Sequence, residues 1–213
     1  MGYDVVDNDF FNEGSNSARK ESVQLRKKYG LPEKYFLSVS RFVKKKNILG
    51  LIRAYELYRK MDPNPWGLVI CGAGPQEKKL REMVSEDKIK GVSFAGPKNP
   101  DELTIYYGLS SCFILPSLVE QWGLVVNEAM ACSLPVLASE VAGSSFELVE
   151  EGVNGYKFNP LNIKQLCGCM LRISQLESVK LVDMGKASRS KIQPYSLNYF
   201  SENMLKAILS VED

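Results

Sequence analysis

Apolar, strand-like runs alternate with helical patterns along most of this chain, and this alternation constrains the fold more than any other feature. The apolar, β-prone runs predict buried strands at residues 35–40, 66–71, 92–96, 112–115, 136–139 and 156–158. Helical patterns separate most of these runs, at intervals of about thirty residues, which suits a strand with its crossover helix. We therefore expect a doubly wound α/β fold, in which a parallel sheet carries helices on both faces.

The composition is that of an ordinary soluble protein and excludes several classes of function. Lysine and arginine number 27 against 25 acidic residues, so the formal net charge is +2 and a general nucleic-acid binder is not expected. The chain has no histidine, which excludes Ser-His-Asp and Cys-His hydrolases. No apolar stretch approaches the roughly 20 residues that cross a bilayer, and no signal-peptide pattern opens the chain. We expect a cytoplasmic protein.

The cysteines lie mostly in apolar patterns and are interpreted as buried, reduced thiols. They occupy positions 71, 112, 132, 167 and 169. Cys167 and Cys169 are close enough in sequence to suggest zinc, but zinc sites usually need a second cysteine pair or histidines. We therefore predict no metal site.

The predicted turn between the strand at 112–115 and the next helix contains the strongest candidate site. Glu120 precedes the helix, Gly123 lies at its start and Glu128 lies inside it. The first amides of a helix lack partners within the helix and attract anions such as phosphate, and glycine at 123 allows close approach. Carboxylates would repel phosphate. Glu120 and Glu128 are better suited to accept hydrogen bonds from neutral hydroxyls, such as those of a ribose and a hexose.

Basic residues follow the first predicted strand. Arg41 and Lys46 lie in the loop between that strand and the next helical pattern. This places them at the carboxyl edge of the sheet, where open parallel sheets bind ligands. Lys44 and Lys45, in the same loop, are interpreted as solvated.

A second glycine-rich turn, Gly72-Ala-Gly74-Pro75, follows the strand at 66–71. It suggests a dinucleotide-binding fingerprint, but Glu77 occupies the third glycine position, so the fingerprint of NAD-dependent dehydrogenases fails. Two interpretations stay open: the glycines shape the backbone, or they contact a ligand.

The spacing Glu120-x7-Glu128, followed by Ala-Met-Ala-Cys-Ser-Leu-Pro-Val, resembles the signature of the retaining, family 4 type glycosyltransferases. These enzymes, also called group 1, have the GT-B fold. From about residue 35 to residue 174 nearly every block has a counterpart in their C-terminal, nucleotide-sugar-binding half. The run Ser-Arg-Phe-Val-Lys-Lys-Lys-Asn-Ile at 40–48 is similar to a block whose arginine and lysine hold the donor's diphosphate. The chain departs from the pattern at Ser40, where the family usually has glycine.

The resemblance implies a role for each candidate residue. Groups acting on the donor sugar and the leaving diphosphate would be Glu120, Arg41 and Lys46. Groups binding the rest of the nucleotide sugar would be Glu128, Gly123, Leu124, Gly96, Pro97 and Gly143. Among these, Glu128 would bind the ribose, the backbone near Pro97 would contact the nucleobase, and the turn at Gly143 would offer backbone or hydroxyl donors. Ala142 replaces the first glycine of that turn. No metal and no cofactor is expected beyond a donor such as a UDP- or GDP-sugar.

The resemblance also implies a domain organisation. Residues 1–14, which look too polar for a core element, would be an interdomain linker or N-terminal arm. Residues 15–192 would form the donor-binding domain, beginning with an exposed helix at 15–28, and 193–213 would include a helix that packs against an N-terminal domain. That missing domain would bind a saccharide, lipid or other acceptor, as in polysaccharide biosynthesis. Peripheral membrane association would be compatible with the full enzyme.

We therefore expect a hexosyltransferase domain that is inactive alone. The principal alternative is a noncatalytic nucleotide-sugar-binding module or partner subunit. A phosphorylase or a sugar-nucleotide epimerase of the same overall fold is a weaker alternative.

Overall fold

A six-stranded parallel sheet forms the centre of the protein in the computed structural model, which describes residues 4–210. The strands, in chain order, are β1 Tyr35–Val39, β2 Gly67–Cys71, β3 Val92–Gly96, β4 Cys112–Leu115, β5 Val136–Ser139 and β6 Gly155–Phe158. Their spatial order is β3-β2-β1-β4-β5-β6, and every neighbouring pair is parallel. The predicted strands are confirmed, each within a residue or two of its expected bounds.

Helices precede, connect and follow the strands. They are α1 Asn8–Lys20, α2 Ser22–Tyr29, α3 Ile48–Met61, α4 Glu77–Glu86, α5 Pro100–Leu109, α6 Leu124–Ala131, α7 Gly143–Leu148, α8 Ile163–Ser174, α9 Ser178–Ile192 and α10 Leu197–Leu209. A 3-10 turn, Lys44–Lys46, precedes α3. None of the helices within residues 4–210 combines the length and the apolar character that crossing a bilayer requires.

A hydrophobic core lies on each face of the sheet, because alternate residues of a strand point to opposite sides. On β1, Tyr35 and Leu37 belong to one core, with side chains of α1, α5 and α6. Phe36 belongs to the other core, with side chains of α3, α4 and α8. The doubly wound fold with helices on both faces is therefore confirmed.

The N-terminal segment differs from the prediction. Helix α1 begins at Asn8, where the Asp7 side chain accepts hydrogen bonds from two backbone amides, and Phe11 and Ala18 are buried. The expectations that 1–14 contains no core element and that 15–28 is one helix are therefore wrong; residues 1–3 lie outside the described part. The packing uses small residues. A Cβ at Gly14 would lie 2.7 Å from Thr104 on α5, so the two helices approach closely.

Helix α10 confirms the predicted C-terminal helix. None of its side chains is buried, and several large apolar ones are exposed. Its packing against another domain stays a prediction.

Candidate functional site

The strand order reverses between β1 and β4, and the candidate residues gather there. Crossovers leave these neighbouring strands in opposite directions, so a crevice opens at their carboxyl ends, the usual ligand site of such sheets. The two loops that border it are joined directly, because the Leu118 amide donates a hydrogen bond to the Lys45 carbonyl at 2.7 Å. The loops after β1 and β4 therefore form one unit.

Lys46 and Glu120 meet across this crevice. Lys46 Nζ forms an ion pair with Glu120 Oε2, and the two side chains are only 19% and 14% exposed. The buried Ser117 hydroxyl donates to the same carboxylate oxygen at 3.0 Å. Both protein contacts use Oε2, so Glu120 Oε1 has no hydrogen-bond partner within the described residues. The site thus offers an acceptor oxygen and a cation side by side.

Arg41 lies in the same loop but is not paired with Glu120. Its side chain is exposed and makes no hydrogen bond or ion pair with any residue of 4–210. A planar guanidinium can bind two oxygens of a phosphate at once. Arg41 is therefore available to an anion in a way that Lys46, held by Glu120, is not.

The N-terminus of α6 adjoins the ion pair. Gly123 precedes the helix with φ 97°, and no side chain of the described chain caps the helix there. A Cβ at this position would lie 3.0 Å from Leu115 Cδ2 and 3.2 Å from Glu120 Cγ, so the position suits glycine both in conformation and in space. The amides of Leu124 and Val125 have no acceptor within the helix, whereas the Val126 amide donates to the Gly123 carbonyl at 2.8 Å. The first two amides carry the positive end of the helix dipole toward the crevice.

Glu128 lies one turn further along α6 and is partly buried. Its Oε2 accepts a hydrogen bond from the Tyr107 hydroxyl at 2.7 Å. Burial raises the pKa of the Glu128 carboxyl, and the bond from Tyr107 partly offsets this. Burial, together with the neighbouring carboxylate, raises the pKa of Tyr107 well above 10.0. Tyr107 is therefore protonated and donates.

Tyr107 is a site residue that sequence reasoning missed. It belongs to a Tyr106-Tyr107 pair in α5, and an aromatic pair in a helix ordinarily indicates core packing. Only the tertiary structure, which places α5 beside α6, brings its hydroxyl to a carboxylate.

The glycines after β2 shape the backbone. A Cβ at Gly72 would lie 1.9 Å from the Ser40 carbonyl oxygen, and one at Gly74 would lie 2.6 Å from the Phe42 carbonyl oxygen. These contacts favour the interpretation in which the glycines shape the backbone over the one in which they contact a ligand. Gly96, at the end of β3, has φ 74°, and its carbonyl accepts a hydrogen bond from the Gly72 amide at 2.8 Å. Gly96 and Pro97 lie at the same sheet edge, two strands from β1.

Gly143 does not have the free amide that was expected. Its N–H donates to the Gln121 carbonyl at 3.2 Å, and the Ser144 amide donates to the Trp122 carbonyl at the same distance. The Ser144 hydroxyl also donates to the Trp122 carbonyl. These three donors are therefore engaged within the protein, whereas the buried Ser145 hydroxyl of the same turn has no hydrogen-bond partner within residues 4–210, so donation from this turn to a ligand stays a prediction. Gly143 instead allows close packing, because a Cβ there would lie 2.3 Å from the Gln121 carbonyl oxygen.

Comparison with known proteins agrees with the fold. Residues 22–191 match the family model described as glycosyl transferases group 1. An uncharacterized glycosyltransferase of Haemophilus influenzae is 31% identical over 174 residues, which are 81% of this chain and 48% of that protein. The chain spans about half the length, or less, of the curated relatives it matches.

Solved structures give the same result. A mutant of TarM from S. aureus, crystallised with fondaparinux, alpha-GlcNAc-glycerol and UDP, is 26% identical with a TM-score of 0.74. The match covers 82% of this chain and 35% of TarM. Sucrose-phosphate synthase from Thermosynechococcus elongatus is 26% identical with a TM-score of 0.76, over 89% of this chain and 48% of the synthase. These structural neighbours have the GT-B fold.

Proposed function

Because the chain belongs to the glycosyl transferases group 1 family, we propose that it is the donor-binding domain of a retaining hexosyltransferase. The donor is a nucleoside diphosphate sugar, such as a UDP- or GDP-sugar, and the acceptor binds to a second, N-terminal domain. The observation that carries the proposal is the constellation at the reversal of strand order: the Lys46–Glu120 pair, the uncapped start of α6, and Glu128 one turn beyond.

The diphosphate lies against the positive groups of the crevice. Arg41 approaches it as a free guanidinium, Lys46 as a point charge, and the Leu124 and Val125 amides as uncapped donors. Together these groups suit a pyrophosphate that carries about two negative charges. Negative charge builds up on the leaving diphosphate as the glycosidic bond breaks. Positive groups at that position therefore stabilise the transition state more than the ground state.

The carboxylates hold the two sugar rings. Each has one oxygen engaged by the protein, Glu120 by Lys46 and Ser117, and Glu128 by Tyr107. The second oxygen of Glu128 accepts from the ribose hydroxyls, and that of Glu120 from the hydroxyls of the transferred hexose. Gly96 and Pro97 contact the nucleobase through their backbone.

The UDP bound to the TarM mutant supports a nucleotide donor in this group of folds. Among the curated relatives is an alpha-monoglucosyldiacylglycerol synthase from Acholeplasma laidlawii, 28% identical over 203 residues, so a lipid acceptor is within the range of this family. Because the proposed reaction also needs an acceptor-binding domain, we expect the isolated chain to bind the nucleotide but to transfer negligible sugar.

Thermal unfolding with UDP, GDP or ADP tests the nucleotide site. A ligand that binds only the folded state at about 100 times its Kd adds roughly 2.7 kcal/mol to the free energy of unfolding. For a chain of this size, the melting midpoint should rise by roughly 5–10 °C. Stabilisation by one nucleotide, reduced in Glu128→Ala and retained in the exposed control Glu202→Ala, is the expected result. No shift with any of the three would refute the proposed site.

A noncatalytic nucleotide-sugar-binding module is the second candidate, because the groups at the site would bind a nucleotide sugar whether or not transfer follows. The two candidate functions differ in whether sugar is transferred to an acceptor. Supplying the natural N-terminal half should restore sugar transfer if the domain is catalytic. Binding that depends on Glu128, with no transfer under that condition, would favour the binding module.

A further inference from the structure

Tyr107 and Glu128 form a polar contact inside a hydrophobic core. Tyr107 is fully buried, with its ring packed edge-on against Phe11 at 6.0 Å between centroids and tilted against Phe113 at 5.8 Å. Aromatic neighbours on two sides hold the ring in place. The position of the Tyr107 hydroxyl is therefore set by the core and not by solvent.

The hydroxyl in turn sets the orientation of the carboxylate. Tyr107 Oη donates to Glu128 Oε2 at 2.7 Å, and Glu128 has no ion-pair partner among residues 4–210. A carboxylate held through one oxygen by a fixed donor loses the freedom to rotate about its terminal bond. Within the same residues, Glu128 Oε1 remains without a protein partner.

We propose that Tyr107 is a positioning residue for the nucleotide: by holding Glu128 Oε2, it presents Oε1 to a ribose hydroxyl. This inference rests on the proposed function. The carboxylate then meets the ribose already oriented, so less conformational freedom is lost on binding. Phenylalanine at 107 would fill the same space but leave Glu128 unanchored.

Replacement of Tyr107 by phenylalanine, with isothermal titration at a temperature where every variant is folded, tests the proposal. The probes are UDP and 2′,3′-dideoxy-UDP, or the corresponding guanosine or adenosine pair if that base binds. Tyr107→Phe should weaken UDP binding by about tenfold, the effect of one hydrogen bond to a charged group. Its affinity for the dideoxy nucleotide should match that of the unaltered protein within about twofold, because that ligand has no ribose hydroxyl for Glu128 to bind.

Tyr55→Phe is the matched control. Tyr55 is also fully buried, and its hydroxyl donates to the Trp66 carbonyl at 2.8 Å, but it lies in the other core. Tyr55→Phe should leave the affinities for UDP and for the dideoxy nucleotide unchanged. As a second measurement, adding Tyr107→Phe to Glu128→Ala should cause no further loss of UDP affinity.

An equal loss for UDP and the dideoxy nucleotide, or a further loss in the Glu128→Ala background, would show that Tyr107 acts through general packing and would overturn the inference. Unchanged UDP affinity in Tyr107→Phe would also overturn it, while leaving the proposed function intact. If the unaltered chain binds no nucleotide, the proposed function fails and the inference fails with it.

Discussion

The carboxyl group of Glu128 is partly buried, so its ionisation is less favourable in the folded protein than in water. Burial raises its pKa above the ordinary value of 4.5, so the folded protein resists ionisation of this group more than the unfolded chain does. Above its folded-state pKa, ionisation of Glu128 therefore opposes folding. Below 4.5, where the group is protonated in both states, this effect disappears.

We therefore expect Glu128→Gln to stabilise the fold at pH 7.5 and to weaken nucleotide binding, as functional residues often trade stability for activity. The stability difference should shrink as the pH falls toward 4. Urea unfolding at several pH values measures it, with Glu202→Gln on exposed α10 as the control. A Glu128→Gln variant that is less stable than the unaltered protein at pH 7.5 would contradict the expected stabilisation of the fold.

The Lys46–Glu120 pair predicts opposite effects of its two members on binding of UDP. Glu120 competes with the diphosphate for Lys46, since the two side chains are paired in the structure. Lys46→Met should weaken UDP binding by about ten- to hundredfold. Glu120→Gln should preserve or improve UDP binding but reduce the preference for UDP-hexose over UDP.

Titration of both variants with UDP checks this, with Lys45→Met as the control, since Lys45 is exposed in the same turn. Equal losses of UDP affinity in the Lys46 and Glu120 variants would argue that the pair only stabilises the loop.

At the scale of the element, the start of α6 depends on one glycine. Alanine at position 123 would have to adopt φ 97°, and its Cβ would crowd Leu115 and Glu120. We expect Gly123→Ala to destabilise the fold by about 1–2 kcal/mol and to weaken nucleotide binding as the first amides of the helix move.

The control variant Gly30→Ala separates the loss of stability from the loss of nucleotide binding. Gly30 ends α2 with φ 62°, and among residues 4–210 no heavy atom beyond the glycine itself and its two chain neighbours lies within 4 Å of the position that a Cβ would take. Gly30→Ala should lower the free energy of unfolding by a similar amount, because alanine must also adopt a positive φ there, but it should leave nucleotide affinity unchanged. Urea unfolding and calorimetric titration of both variants measure the difference. Unaltered nucleotide binding in Gly123→Ala would argue against a role for the α6 amides.

Strands, helices and turns could be predicted from the sequence where residues close together in the chain form the pattern that indicates them. The strands have continuous apolar runs, and the turn with Glu120 and Gly123 lies between a strand and a helix that are adjacent in the chain. The start of helix α1 at Asn8 was missed because Gly14 and Ser15, which pack against α5, are small and do not form an apolar pattern.

The parts of the site that were missed depend on tertiary contacts. The pairing of Lys46 with Glu120 joins residues 74 positions apart, and no spacing rule predicts that contact. The engaged amide of Gly143 likewise depends on how closely the loop after β5 approaches the loop after β4.

At the scale of the whole molecule, α10 contributes little to the described core. None of its residues is buried. A chain ending at Ser196 should therefore unfold at nearly the same urea concentration as the full chain and bind nucleotide equally well, as denaturation and titration can test. A large fall in the unfolding midpoint would show that α10 stabilises this domain directly.

The reversal of strand order divides the site between two halves of the chain. Arg41 and Lys46 follow β1, in the half that also forms β2 and β3, whereas Glu120 and Glu128 belong to the half that begins with β4. A folding intermediate with only one half formed would lack either the cations or the carboxylates. Recovery of nucleotide binding during refolding would therefore report the formation of both halves of the site.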